Sequence, residues 1–170
     1  IGMDESNHSR YPEIYAAVLS TNEKDMILRG ITKRRGKLSS LKHITRDLED
    51  YRYTVITKKA SYHYEGLMFA TNAISNLLLS FGLDSSRMFV IVDGLPKEGM
   101  AEDIIKKFNE NSKKGEMHLN QLEFIAKADE RYPIVSKADK LAYKIFREIE
   151  RNPRYKIENK YVEFPLELRC

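Results

Sequence analysis

A single cysteine, Cys170, excludes an intramolecular disulfide and a cysteine-ligated zinc cluster. No apolar run nears the ~20 residues that a membrane-spanning helix requires. The longest mostly apolar stretch, around Leu77-Leu78-Leu79, is short and interrupted. The opening residues Ile1-Gly2-Met3-Asp4-Glu5 carry neither a basic nor a long apolar segment, so no secretory signal is expected. Repeats, low-complexity tracts and linker-like segments are missing as well. So is a strong excess of one charge sign. Against 29 Lys+Arg stand 25 Asp+Glu, and the formal net charge of +4 is no nucleic-acid signature by itself. Hydrophobic content of 42% excludes a chain disordered from end to end. With 170 residues, one domain is expected, as a monomer in a reducing, cytoplasmic setting.

Several changes of hydrophobic period follow along the chain. A strand stub at Ile1 to Met3 ends at Asp4. Ile14 to Leu19, between Pro12 and Ser20-Thr21-Asn22, has a buried-strand pattern. Lys37 to Asp50 predicts a short helix with Leu38, Leu41, Ile44 and Leu48 on one face. Tyr51 to Thr57 alternates aromatic and β-branched residues, which predicts a strand. Tyr64 to Leu79 predicts a long central helix, ended by Gly82. Met88 to Val92 is uninterrupted and apolar, as in a strand buried on both faces. A helix from Gly99 to Phe108, a strand from Leu122 to Ala126 and a helix from Ser136 to Ile149 complete the pattern. The segment 153–170 is expected as an edge strand or a tail. The fold class is therefore α/β: a mixed central sheet with three early meandering strands, then strand–helix–strand–helix.

Acidic residues gather where these strands end. Asp4-Glu5, Asp93 and Asp129 each fall at or just beyond a core strand, the place where α/β sheets open their functional loops. Carboxylates meeting there would repel one another, and divalent cations with a preference for oxygen ligands relieve that conflict. Each acid taken singly also fits a turn or cap, and Asp93-Gly94 is a turn dipeptide in its own right.

At these residues the sequence resembles ribonuclease HII, whose members cut the RNA strand of RNA–DNA hybrids. The matching motifs are Gly2-Met3-Asp4-Glu5, Val92-Asp93-Gly94 and the longer block Lys127-Ala128-Asp129-Glu130-Arg131-Tyr132-Pro133-Ile134-Val135-Ser136. Their order agrees with the family, and the similarity runs from Gly2 to about Arg147. The resemblance implies a ribonuclease H-like fold. It also implies that Asp4, Glu5, Asp93 and Asp129 hold two Mg²⁺ or Mn²⁺ ions for hydrolysis of a phosphodiester. The basic cluster Lys33, Arg34, Arg35 and Lys37, together with Lys127, is then expected on backbone phosphates.

The departures concern the substrate. Where the family has a glycine–arginine loop that senses a 2′-hydroxyl, this chain has Ser6-Asn7-His8-Ser9. Asn7 and His8 become candidate nucleic-acid contacts, but without glycines the backbone cannot approach a sugar as closely. Asp139 stands where the family has serine and is a candidate extra acid. The alternative is a capping pair, with Ser136 at an N-cap and Asp139 three positions on. Tyr62, Tyr64 and Phe69 are expected in the core rather than stacked on bases. Two other readings of the chain remain open. One is a non-catalytic nucleic-acid- or protein-binding module on the same scaffold. The other is a nuclease for structured or single-stranded DNA.

Overall fold

Five strands form one sheet in the computed structural model, which describes residues 1–6, 10–30, 40–58, 67–83, 88–95, 98–111 and 121–164, with backbone alone at 67–69 and 111. They are β1 (Gly2–Ser6), β2 (Glu13–Leu19), β3 (Asp50–Ile56), β4 (Phe89–Asp93) and β5 (Gln121–Ile125), in the order β3-β2-β1-β4-β5. β2 pairs antiparallel with both β1 and β3. β4 runs parallel to β1 and to β5. The early meander and the later crossovers are those the hydrophobic pattern predicts. The connections fit this mixed sheet: a short link joins the antiparallel β1 and β2, while the parallel β4 and β5 are joined by a crossover through a helix.

The helices are α1 (Leu41–Arg46), α2 (Leu67–Ser80), α3 (Met100–Asn111) and α4 (Pro133–Arg151). Several boundaries differ from expectation: α1 stops at Arg46 rather than Asp50, which instead opens β3, and leaves Leu48 outside the helix, while α3 runs on to Asn111 rather than ending at Phe108. α1 begins late because Ser40 caps it, its hydroxyl accepting from the His43 N–H; residues 37–39 lie outside the described residues. α4 begins at Pro133 rather than after Ser136. Proline suits the first helical position, since it forfeits no hydrogen bond there and its φ is already helical. Ser136 is consequently buried inside the first turn, and the expected capping pair with Asp139 does not form.

Both faces of the sheet are covered. On one, Met3, Tyr15, Ala17, Val90 and Val92 pack with Ile74, Leu77 and Leu78 of α2 and Ile104 and Phe108 of α3. On the other, Ile14, Ala16, Val18 and Ile91 meet Ile134, Val135, Ala138, Leu141 and Ile145 of α4. One glycine sets how closely α4 sits on β1. A Cβ added at Gly2 would stand 2.7 Å from the Ile134 carbonyl carbon, inside van der Waals contact with backbone. The helix therefore rests on β1 only because residue 2 has no side chain.

The C-terminal segment lies along the outer side of β3. Tyr161 forms a single parallel bridge to Tyr53, made by the Tyr53 N–H donating to the Lys160 carbonyl (3.0 Å) and the Val162 N–H donating to the Tyr53 carbonyl (2.8 Å). Phe164 is buried against the α2 side of the sheet.

Candidate metal centre

β1 does not end at Asp4; its ladder with β2 continues to Ser6. Successive side chains along a strand point to opposite faces. Asp4 therefore shares the α4 face with Gly2, while Glu5 shares the opposite face with Met3. β4 lies beside β1 with Gly2 opposite Ile91 and Met3 opposite Val92. The next residue of each strand is Asp4 and Asp93, on strands about 4.8 Å apart. A charge at the end of β4 cannot be left unsatisfied so near the core, and Asp93 Oδ1 accepts the Ala128 N–H at 2.5 Å.

That bond ties β4 to the turn that follows β5. Lys127 there adopts a left-handed conformation (φ 55°, ψ 38°), and the chain enters a 3-10 turn at Ala128–Glu130. The turn buries Asp129. Pro133 then starts α4, which comes back over β1 and presents Asp139 from its second turn. One carboxylate oxygen each from Asp4, Asp129 and Asp139 lie within 4.8 Å of one another.

Asp4 is 5% exposed, and its carboxyl is pushed up to about 8. Burial is the main cause, followed by the charge of Asp93. The Glu5 N–H, which donates to Asp4 Oδ1 at 2.7 Å, acts in the opposite sense. Asp139 and Asp129 raise it further. Such a set fits a hard divalent cation. Oxygens held about 2.1 Å from Mg²⁺ in octahedral geometry stand about 3–4 Å apart, so three oxygens within the observed span close on one ion with little movement.

Glu5 has different company. Its carboxyl is hydrogen-bonded to that of Glu13, on the face of the sheet away from α4. The Tyr15 hydroxyl lies 3.4 Å from Glu13 Oε1, donating a long bond. Burial pushes Glu13 up to about 8, the hydrogen bond and charge of Glu5 add to this, and Tyr15 opposes it. The Tyr15 phenol is pushed well above its usual range, by burial first and then by both glutamates. A cavity of about 280 Å³ opens at this strand edge, bounded by Met3, Glu5, Tyr15, Asp93 and Phe124 among others.

Of the predicted site residues, Asp4, Asp93 and Asp129 come to one strand edge on the α4 face, and Asp139 joins them. Glu5 reaches the same edge from the other face. Lys127 is exposed at the turn before Asp129. Asn7, His8, Lys33, Arg34, Arg35 and Lys37 lie outside the described residues, as do Tyr62, Tyr64 and the side chain of Phe69. Glu13 escaped sequence reasoning. The signal that could have found it is its period: it alternates with Tyr15 on a strand otherwise apolar.

The fold is an α/β domain with acids gathered at one strand edge. Among solved structures, the chain is similar to the ribonuclease HII of Archaeoglobus fulgidus, seen in a complex with PCNA: the TM-score is 0.59 at 16% identity, over 88% of this chain and 73% of that one. Ribonuclease H2 from Pyrococcus horikoshii matches with a TM-score of 0.55 at 20% identity, over 97% of this chain and 81% of that one. In fold the chain is similar to ribonuclease HII. No family model matches its sequence, and no curated protein matches it. Among the described residues no helix is long and apolar enough to cross a membrane.

Proposed function

We propose that the protein is a divalent-metal-dependent endonuclease that hydrolyses phosphodiesters of nucleic acid, with the RNA strand of an RNA–DNA hybrid as its first candidate substrate. The observation that carries this reading is the closure of Asp4, Asp129 and Asp139 to within 4.8 Å beside Asp93. Nothing in the packing of the sheet requires those four acids to meet. Asp4, Asp129 and Asp139 would hold one Mg²⁺ or Mn²⁺ ion, with Asp93 and Glu5 serving a second. Bound ions of this kind supply activation of water and stabilisation of the leaving oxygen.

The chain's own residues do the placing. Asp93 fixes the turn that carries Asp129 through the Ala128 N–H. Asp139 contributes a full negative charge where the resembling family has a neutral serine, which strengthens the cation site. Lys127 sets an ammonium at the rim, where it would hold a backbone phosphate together with Lys33, Arg34, Arg35 and Lys37. Asn7 and His8 would meet the strand near Asp4. A histidine is a poorer phosphate grip than arginine, since it lacks the bidentate fork. Cleavage at a single embedded ribonucleotide is therefore expected to be weak.

The test is a cleavage panel in Mg²⁺ or Mn²⁺ with hybrid, single-ribonucleotide duplex, RNA and DNA substrates, comparing the native chain with Asp129→Asn. Metal-dependent cutting that Asp129→Asn abolishes is the expected result. A folded native protein that cuts none of these substrates overturns the proposal, and so does an Asp129→Asn variant that cuts as well as the native chain.

A further inference from the structure

Two arginines far apart in the sequence are set side by side at the turn that carries Asp129. The Arg29 N–H donates to the Arg131 carbonyl at 2.8 Å. Arg131 closes the 3-10 turn Ala128–Glu130, its own N–H donating to the Ala128 carbonyl at 3.0 Å. It stands two residues from the buried Asp129, on the turn that Asp93 holds through the Ala128 N–H.

Arg29 belongs to the segment after β2, where a short 3-10 helix, Glu23–Met26, leads into residues 27–30. Ile27 and Leu28 are 58% and 57% exposed, so apolar burial does not hold this segment in place. Polar tethers do. Asp25 accepts from the Ser20 hydroxyl at 2.7 Å and pairs with Lys137 of α4 at 2.9 Å. The backbone bond from Arg29 to Arg131 is the third tether. The segment is thus fixed to the turn and to α4, the two elements that supply Asp129 and Asp139.

Both arginines are exposed. Among the described residues neither guanidinium forms a salt bridge, with Glu130 of the turn or with any other acid. Asp25, the carboxylate on which the charge of Arg29 acts, is paired instead with Lys137. Two cations held together without a counter-ion repel each other, and an anion shared between them relieves the conflict. A phosphodiester suits that place, because its two unesterified oxygens match the paired donors of a guanidinium fork. We propose that Arg29 and Arg131 form a phosphate clamp, which seats one backbone phosphate of the nucleic-acid strand next to the linkage cut at the cation site. This rests on the nuclease reading above and names a subsite for it. The clamp and the cation site share the Asp129 turn, so a phosphate seated on the arginines sets the register of the strand at the site.

The experiment is fluorescence anisotropy of a short labelled RNA–DNA hybrid over a range of KCl concentrations, with Ca²⁺ in place of Mg²⁺. It compares the native chain, Arg29→Ala, Arg131→Ala, the double variant and Lys106→Ala, an exposed cation on α3. The tether is made by backbone atoms, so replacing the side chains leaves it in place. The double variant should bind about 10-fold more weakly at low salt and lose about 1 from the slope of log K against log salt. Each single variant should fall between it and the native chain, and Lys106→Ala should bind as the native chain does. Mn²⁺ uptake, read by electron paramagnetic resonance, should be native in the double variant. Native affinity and slope in the double variant overturn the clamp. So does an equal loss in Lys106→Ala, which would trace the effect to net charge, and so does weakened Mn²⁺ uptake in the double variant. A native chain that binds no hybrid overturns the nuclease reading first and the clamp with it. That outcome is distinct from a native chain and a double variant that bind equally well.

Discussion

The two faces of the sheet carry acids at the same strand edge and treat them in opposite ways. On the α4 face, Asp4 is buried among Asp93, Asp129 and Asp139, and each of these neighbours raises its carboxyl. On the α2 side, Glu5 and Glu13 meet in a hydrogen bond with Tyr15 behind them. One face accumulates negative charge that a cation would relieve. The other sets a buried Glu13 between Glu5 and the Tyr15 hydroxyl, and burial pushes the Glu13 carboxyl up. Short aspartates held by a strand, a turn and a helix have little freedom to move apart, whereas glutamates have an extra methylene and find each other.

The largest break in this comparison should come from neutralising the α4 face. Asp4→Asn keeps the shape and removes the charge; with a cation's contribution of several kcal/mol lost, cleavage should fall about 10³-fold. Steady-state assays in Mg²⁺ measure this, and circular dichroism confirms that the variant is folded. Asp139→Asn should fall in the same direction, which a capping role would not produce.

Next in size is an effect of pH on the metal-free protein, in which both faces act together. Asp4 and Glu13 titrate near 4 in the unfolded chain and are each pushed up to about 8 when folded. Between those values the folded state holds protons that the unfolded state has lost. Stability is therefore highest near about pH 4–5 and falls as pH rises toward 8. A decline of a few kcal/mol in urea-unfolding free energy is expected between about pH 5 and pH 8. Asp4→Asn should remove the part due to the α4 face and leave that of Glu13. A flat profile in the native protein would contradict burial and like-charge crowding as the origin of both shifts.

A smaller effect should follow from Gly2→Ala. Its methyl group would press on the Ile134 carbonyl, 2.7 Å away, so α4 must lift. Overpacking of this kind costs about 1–3 kcal/mol, readable in thermal melts. Because α4 carries Asp139, Mn²⁺ affinity should weaken in step, while the Glu5–Glu13 face is left as it was. The smallest effect belongs to the rim. Lys127→Ala should lower nucleic-acid affinity a few-fold and reduce the slope of log K against log salt by about 1.

Much of this was legible in the chain. Met88 to Val92 is apolar throughout, so a buried strand had to end at Asp93, and Lys127-Ala128-Asp129 follows another apolar run in the same manner. Three features were hidden. Asp4 and Glu5 are adjacent in sequence, and adjacency conceals that a strand sends them to opposite faces. Asp139 was open to a capping role because Ser136 resembles an N-cap; Pro133 was the stronger start signal, and it places Asp139 a full turn deeper. Glu13 begins a strand, where a polar residue ordinarily marks a boundary, and only its pairing with Ile56 of β3 shows that it belongs to the ladder. The left-handed backbone at Lys127 has no sequence signature, since glycine or asparagine is the usual occupant.

The hydrogen bond from Ala128 to Asp93 has a consequence in time as well as in space. It joins segments 35 residues apart, and the cluster it supports also needs Asp4 from the first strand and Asp139 from the last helix. Contacts between such distant segments form late, because closing long loops costs entropy before the contacts repay it. The cation site is thus a record of completed assembly: during synthesis, the three carboxylates cannot converge on an ion until α4 has left the ribosome and settled on Gly2. In refolding experiments, capture of Mn²⁺ by Asp4, Asp129 and Asp139 should trail the appearance of helical signal, and the lag between them measures how long the parallel half of the sheet takes to close.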